Sequence, residues 1–201
     1  VYHDYPLRRL AKRSERVNEL TLHEIQDLSI TKGSMISTIP SFREYMSLAK
    51  SLDQKILVEL KADGSDPDLL TRKALEIVQE LEMEDMVYYQ SLDKKLILNL
   101  KEQHPEVIAG YIIGFNIGRL EKLDVDFYSL EASAVSSTAV RSLNRWNKGL
   151  FVWTVNDTYG LQTYLDMRVQ GVITDIPKQA IYEKENSPSL SLMDKIWRLL
   201  P

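Results

Sequence analysis

The apolar positions of this chain fall into two regimes. Up to Pro40 they are sparse and poorly periodic. Arg8, Arg9, Lys12, Arg13 and Arg16 make a basic stretch there that reads as a solvated loop. Within that region Thr21-Leu22-His23-Glu24 forms a capping box and predicts a short helix. Lys32-Gly33-Ser34 predicts a turn. From residue 41 the pattern is regular. Ser41 with Glu44 is a second capping box, followed at helical spacing by Phe42, Tyr45, Met46 and Ala49. Asp66-Pro67 opens a helix whose apolar face is Leu70, Ala74, Ile77, Val78 and Leu81. Further helices are predicted over 92–103, 137–147 and about 157–168, the last capped by Asn156. Between them lie short β-rich runs at 54–60, 86–91, 107–113, 126–130, 150–155 and 171–174.

Strand and helix thus alternate about six times. The strands are continuous apolar runs, as expected where both faces are buried, and helical crossovers require parallel pairing. The prediction is an α/β fold, either a doubly wound sheet or a closed barrel. Polar groups gather just past the strands: Glu59 and Lys61, Ser91, Glu131, Asn156 and Asp175. The carboxyl ends of barrel strands are where such enzymes place their sites. The expected organisation is a loop-rich insertion over 1–40, βα repeats over 41–180, and a tail over 181–201. In that tail Glu183–Ser189 reads as a linker, and Leu192, Ile196, Trp197 and Leu200 as one side of a short amphipathic helix.

Composition narrows the function classes. The 201 residues are 44% apolar, which suits a soluble globular chain with an ordinary core. The net charge of −4 gives no general footprint for nucleic acid. The absence of Cys removes disulfides, thiolate metal sites and a cysteine nucleophile. Neither GxGxxG nor GxxxxGK(S/T) occurs, which argues against a nucleotide-binding Rossmann or P-loop fold. The chain opens on Val1-Tyr2-His3-Asp4 with no Met, and this reads as the end of a strand in a fragment of a longer chain.

Four segments carry a resemblance. Val1-Tyr2-His3-Asp4, Leu57-Val58-Glu59-Leu60-Lys61, Phe151-Val152-Trp153-Thr154-Val155-Asn156 and Gly171-Val172-Ile173-Thr174-Asp175-Ile176-Pro177 occur in the order seen in the glycerophosphodiester phosphodiesterase family. The resemblance runs from residue 1 to about 180. It implies a TIM (β/α)8-type barrel that hydrolyses glycerophosphodiesters to an alcohol and glycerol 3-phosphate with a divalent cation, Mg²⁺ or Ca²⁺. The family pattern also carries an upstream H-R-G segment and an E-x-D pair, and neither precedes His3 here. The barrel is therefore expected to be amino-terminally truncated, with six to seven of eight strands present, and the fragment by itself inactive. Open edges would favour homodimerisation. The fragment is expected to be soluble, and the intact protein either cytoplasmic or held by a membrane anchor upstream.

The resemblance assigns His3 as the acid–base group, since an imidazole titrating near neutrality can protonate a leaving alkoxide. The alternative for His3 is a disordered terminus. Glu59 is the one metal ligand it places, because hard cations take carboxylate oxygens; the alternative is a surface Glu paired with a neighbouring Lys. Alternation along a strand puts Lys61 on the same face, where its charge would bind the substrate phosphate. Trp153 is either a core residue or a pocket wall beside the glycerol. Asp4 could orient the His3 ring. His23 and His104 read as solvated. Rival functions are a non-catalytic binding or scaffold module built on the barrel, and a phospholipase-like phosphodiesterase acting on lipid head groups.

Overall fold

The computed structural model describes residues 1–115, 119–167 and 169–186. The chain divides into two compact units, Val1–Tyr88 and Tyr89–Pro201. The expected tail helix around Leu192 to Leu200 lies outside the described residues.

The first unit opens on irregular chain with no strand at residues 1–3, contrary to the expected strand stub. Helix α1 (Arg8–Ala11) is a single turn, ended by Lys12 at φ 58°. Helix α2 (Leu22–Gln26) starts where the capping box predicts: Thr21 Oγ1 accepts from the Glu24 amide and the Glu24 carboxylate accepts from the Thr21 amide. Strands β1 (Ser29–Lys32) and β2 (Met35–Thr38) form an antiparallel hairpin with Lys32 opposite Met35. That register leaves a two-residue loop, Gly33-Ser34, with Gly33 at φ 62°. A positive φ at the first loop position is what a type II′ hairpin needs, and glycine adopts it without strain. Residues 1–40 are therefore more ordered than a loop-rich reading suggests. They carry a small core of Leu7, Ile25 and Ile39, flanked by Tyr2, Val17 and Leu28.

Helix α3 (Phe42–Ser51) has the predicted Ser41–Glu44 box and buries Met46 and Ala49. Strand β3 (Ile56–Glu59) follows. Helix α4 (Pro67–Glu80) has Asp66 accepting from the amides of Asp68 and Leu69, with Pro67 at the first helical position. It buries Ala74 and Val78 and lies beside α3, where Arg43 pairs with Glu80.

Strand β4 (Val87–Ser91) runs across the boundary into the second unit, which holds β5 (Ala109–Ile113), β6 (Phe127–Glu131), β7 (Gly149–Trp153) and β8 (Gly171–Val172). They lie in that order and every successive pair is parallel. Helix α5 (Lys94–Gln103) crosses from β4 to β5, α6 (Ser137–Trp146) from β6 to β7, and α7 (Thr158–Asp166) from β7 to β8. This is the predicted βα alternation. One face of the sheet takes Phe127 and Phe151, whose ring centroids are 4.8 Å apart. The other takes Tyr128, which packs towards Trp146 of α6 at 6.4 Å. Gly110 lies directly beneath the Phe127 ring, so a Cβ there would come within 2.1 Å of it.

Two local expectations are corrected. Asp157, not Asn156, caps α7, its Oδ1 accepting from the Gly160 amide at 2.8 Å. The Asn156 carboxamide is spent elsewhere: its Oδ1 accepts from the Asp175 amide and the Thr174 hydroxyl, and its Nδ2 donates to Asp175. Past Val172 the backbone pairing runs on through Ile173, whose amide donates to the Val152 carbonyl and whose carbonyl accepts from the Val155 amide. Helix α8 (Pro177–Asn186) continues through Glu183, where a linker was expected. Glu183 is buried and its carboxylate accepts from the side chains of Gln162 and Gln179, which holds that turn helical. Among the described residues, no helix is long and apolar enough to cross a membrane.

Candidate active site

Three of the four residues singled out by sequence meet in the first unit. Strand β3 ends at Glu59, and Lys61 follows two residues later, so both side chains leave the strand on one side. Lys61 Nζ lies 3.3 Å from Glu59 Oε1 and donates to the backbone carbonyl of His3 at 2.9 Å. One ammonium thus joins the two sequence motifs. The pair is sheltered, with the Lys61 side chain 19% and that of Glu59 26% exposed. An ammonium has three N–H groups. Two are engaged, and the third is available to an incoming acceptor.

His3 is ordered by its neighbour. Its Nδ1 lies 2.8 Å from Asp4 Oδ1 while the ring is 74% exposed. Asp4 in turn accepts from Arg9 Nε at 2.5 Å and from Nη2 at 3.2 Å. The Arg9 guanidinium, and secondly the His3 ring, hold the Asp4 carboxyl down at about 2. An ionised carboxylate only accepts, so the proton on His3 sits on Nδ1 and Nε2 faces solvent.

Lys61 is supported from the other side. The Tyr5 ring has the Lys61 ammonium 6.0 Å from its centroid and the Arg16 guanidinium 5.4 Å away. Arg16 donates from Nε to Asp63 Oδ2 at 3.1 Å, and Asn18 donates to the Asp63 carbonyl. The loop after β3 is thereby tied to residues 5–18. Reading the basic stretch as a solvated loop missed this. Arg9, Arg13 and Arg16 each hold a carboxylate, of Asp4, Glu15 and Asp63. The only sequence signal was the presence of acidic residues near the arginines, and Asp63 is too distant in the chain to have been paired by inspection.

Two cavities open on this cluster. One, of about 470 Å³, lies against β3, α3 and α4 and is lined by apolar side chains including Phe42, Ile56 and Ile77. The other, of about 520 Å³, runs along residues 3–9. His3 and Lys61 line both.

Trp153, Glu131 and Ser91 lie in the second unit. Trp153, at the end of β7, is partly buried, and its Nε1 donates to the Ser129 carbonyl at 3.1 Å. Glu131 accepts from the Ser133 amide and closes the turn after β6. Ser91 is buried and accepts from the Asp93 amide. His23 is 88% exposed on α2, and His104 ends α5.

Among the described residues, no three His, Asp or Glu side chains come together as metal ligands. Mg²⁺ and Ca²⁺ take six or more oxygens, and an oxygen of Glu59 already faces the Lys61 ammonium. The described residues by themselves do not fit a resident divalent ion.

Comparison with known proteins agrees with the clustered motifs. The family model described as the glycerophosphoryl diester phosphodiesterase family matches residues 1–179. The glycerophosphodiester phosphodiesterase GDPD4 of Arabidopsis thaliana is 23% identical over 87% of this chain, and the chain spans 57% of its length. A glycerophosphodiester phosphodiesterase of Caldanaerobacter subterraneus subsp. tengcongensis is 24% identical over 90% of this chain and 78% of its own. Among solved structures, an Oleispira antarctica phosphodiesterase in complex with the product sn-glycerol-3-phosphate superposes with a TM-score of 0.78 at 20% identity, over 92% of this chain and 78% of that one. A putative glycerophosphodiester phosphodiesterase from Galdieria sulphuraria gives 0.78 at 19%, over 92% and 79%. These likenesses place the fold in the TIM (β/α)8-type α/β class. With the family model matched across nearly all of the chain, and its two amino-terminal motifs joined through Lys61, the chain belongs to the glycerophosphoryl diester phosphodiesterase family.

Proposed function

We propose that the protein of which this chain forms part hydrolyses glycerophosphodiesters to an alcohol and glycerol 3-phosphate. The observation that carries the reading is the Lys61 ammonium, held between the His3 carbonyl at 2.9 Å and Glu59 at 3.3 Å. It fixes a positive charge against the backbone of the residue whose imidazole is exposed. The third N–H of Lys61 binds a non-bridging phosphoryl oxygen, where negative charge accumulates in the transition state. As a water oxygen bonds to phosphorus and releases a proton to solvent, the P–O bond to the alcohol breaks, and His3 in its imidazolium form gives the Nε2 proton to the departing alkoxide oxygen; Asp4, facing Nδ1, stabilises that imidazolium beforehand. Arg9 keeps Asp4 ionised throughout the working pH range.

Glu59 supplies one carboxylate towards a divalent ion. The described residues cannot hold such an ion alone. We infer that the 201-residue chain alone is nearly inactive, because one carboxylate and one imidazole are a fraction of what the family pattern supplies.

The test is release of glycerol 3-phosphate from glycerophosphocholine and glycerophosphoethanolamine by the full-length gene product, the 201-residue chain, and His3→Asn in the former. The expected result is turnover by the full-length protein, a loss of roughly 10²–10⁴-fold on removing the imidazole, and little turnover by the chain alone. No glycerol 3-phosphate from the full-length protein, or full activity in His3→Asn, overturns the reading.

A further inference from the structure

The cavity along residues 3–9 carries a charge that the reaction does not use. Arg8, Arg9 and Lys61 line it together with His3 and Asp4. Arg9 is spent on Asp4, and Lys61 is shared with Glu59 and the His3 carbonyl. Three cations set against those two carboxylates leave one positive charge, and it falls on Arg8. Arg8 is exposed, and no ion pair involves it among the described residues. Arg9 and Arg13, its neighbours in the basic stretch, are both paired. The guanidinium of Arg8 is therefore free, beside the imidazole proposed to act on the phosphodiester.

A guanidinium presents a planar fork that suits carboxylate and phosphate oxygens, often in two parallel hydrogen bonds. The diester phosphate itself goes to Lys61 and His3. Arg8 lines the same cavity as His3 and Lys61, and in the reading above His3 protonates the alcohol oxygen, so the alcohol arm of a diester held there is the one assigned to the Arg8 side. A quaternary ammonium there would meet a like charge. A second anionic group would meet an unpaired cation.

Resting on the hydrolase reading above, we propose that Arg8 selects glycerophosphodiesters whose alcohol carries an anionic group, a phosphomonoester or a carboxylate, over those with a cationic alcohol. Specificity of this kind is a difference between affinities, supplied here by one attractive contact to the anion and one repulsive contact to the cation.

The experiment measures equilibrium binding by calorimetry at low salt to the full-length protein carrying His3→Asn, so that the probes are not consumed, with three probes: glycerophosphoinositol 4-phosphate, glycerophosphoinositol and glycerophosphocholine; release is followed separately with His3 intact. The first two differ only in the second phosphate. The expected order is the phosphorylated diester about tenfold tighter than its parent, the size of one charged hydrogen bond, with glycerophosphocholine weakest. In Arg8→Gln the tenfold ratio falls to about twofold, and Arg8→Lys regains part of it, since lysine restores the charge without the fork. Arg8 is exposed, so both variants should fold. A protein with Arg8 intact that shows no preference between the first two probes, or a ratio unchanged in Arg8→Gln, overturns the proposal. Glycerol 3-phosphate release is read in parallel. A binding preference that depends on Arg8, without release from any probe, defeats the hydrolase reading and leaves the Arg8 site standing. Release from all three in proportions indifferent to Arg8 does the reverse.

Discussion

Removing one oxygen atom from Tyr128 tests how the connection between β5 and β6 is held. Tyr128 is fully buried, and its hydroxyl donates to the Glu121 carbonyl at 2.8 Å while accepting from the Leu123 amide at 2.7 Å. Burial raises its phenol above the ordinary value, so the donor proton stays in place across the physiological range. Tyr128→Phe keeps the ring and its packing towards Trp146 but strips both bonds. Glu121 is exposed and its carbonyl can turn to water, whereas the Leu123 amide sits in a buried residue and loses its partner outright. An unsatisfied buried donor costs about 1–3 kcal/mol. The expected loss is therefore about 2 kcal/mol. For a chain of this length that lowers Tm by roughly 4–8 °C. Urea unfolding followed by tryptophan fluorescence should show the midpoint falling with the slope unchanged, and hydrogen exchange at the Leu123 amide should accelerate. Tyr182→Phe, at an exposed position on α8, is the control and should stay within about 0.5 kcal/mol. A loss below about 0.5 kcal/mol in Tyr128→Phe, with Leu123 still protected, would refute the reasoning.

Two further predictions concern packing and pH. Gly110→Ala places a Cβ 2.1 Å from the ring of Phe127, which is fully buried and held against Phe151, so about 1–3 kcal/mol of stability should be lost, with part of it recovered when Phe127→Leu is added; chemical denaturation of the two variants checks this. Asp4 has its carboxyl lowered from 3.8 to about 2 in the folded chain, so its stabilising contribution is complete above about pH 3.8 and disappears as pH falls towards 2. Because the pair is solvent-exposed and screened, that contribution is about 0.5–1 kcal/mol at most. Carboxyl NMR titration should show Asp4 returning towards 3.8 in Arg9→Gln while Glu15, held by Arg13, stays near 2; an unmoved Asp4 would mean that Arg9 is not its partner in solution.

The elements of this protein are largely written in local sequence. Capping boxes at Thr21 and Ser41 and the Asp66-Pro67 pair start helices because their side chains satisfy amides only three residues away. The βα alternation and the parallel sheet follow from runs of apolar residues that need cover on both faces. Glu59 and Lys61 share a side of β3 by strand alternation alone, and the glycine at position 33 announces its turn.

Tertiary structure decided what those residues touch. Whether Asn156 or Asp157 caps α7 depends on Thr174 and Asp175, 18 and 19 residues further on, competing for the Asn156 carboxamide. Whether Arg16 is solvated depends on Asp63, 47 residues away. The union of His3 with Lys61 spans 58 residues. Short-range patterns encode backbone hydrogen bonds, whose partners lie a few residues apart. Charged side chains choose partners by proximity in space, and that proximity exists only after the chain has closed on itself. For that reason one arginine of a basic stretch is left unpaired while its neighbours are neutralised, and composition alone could not say which.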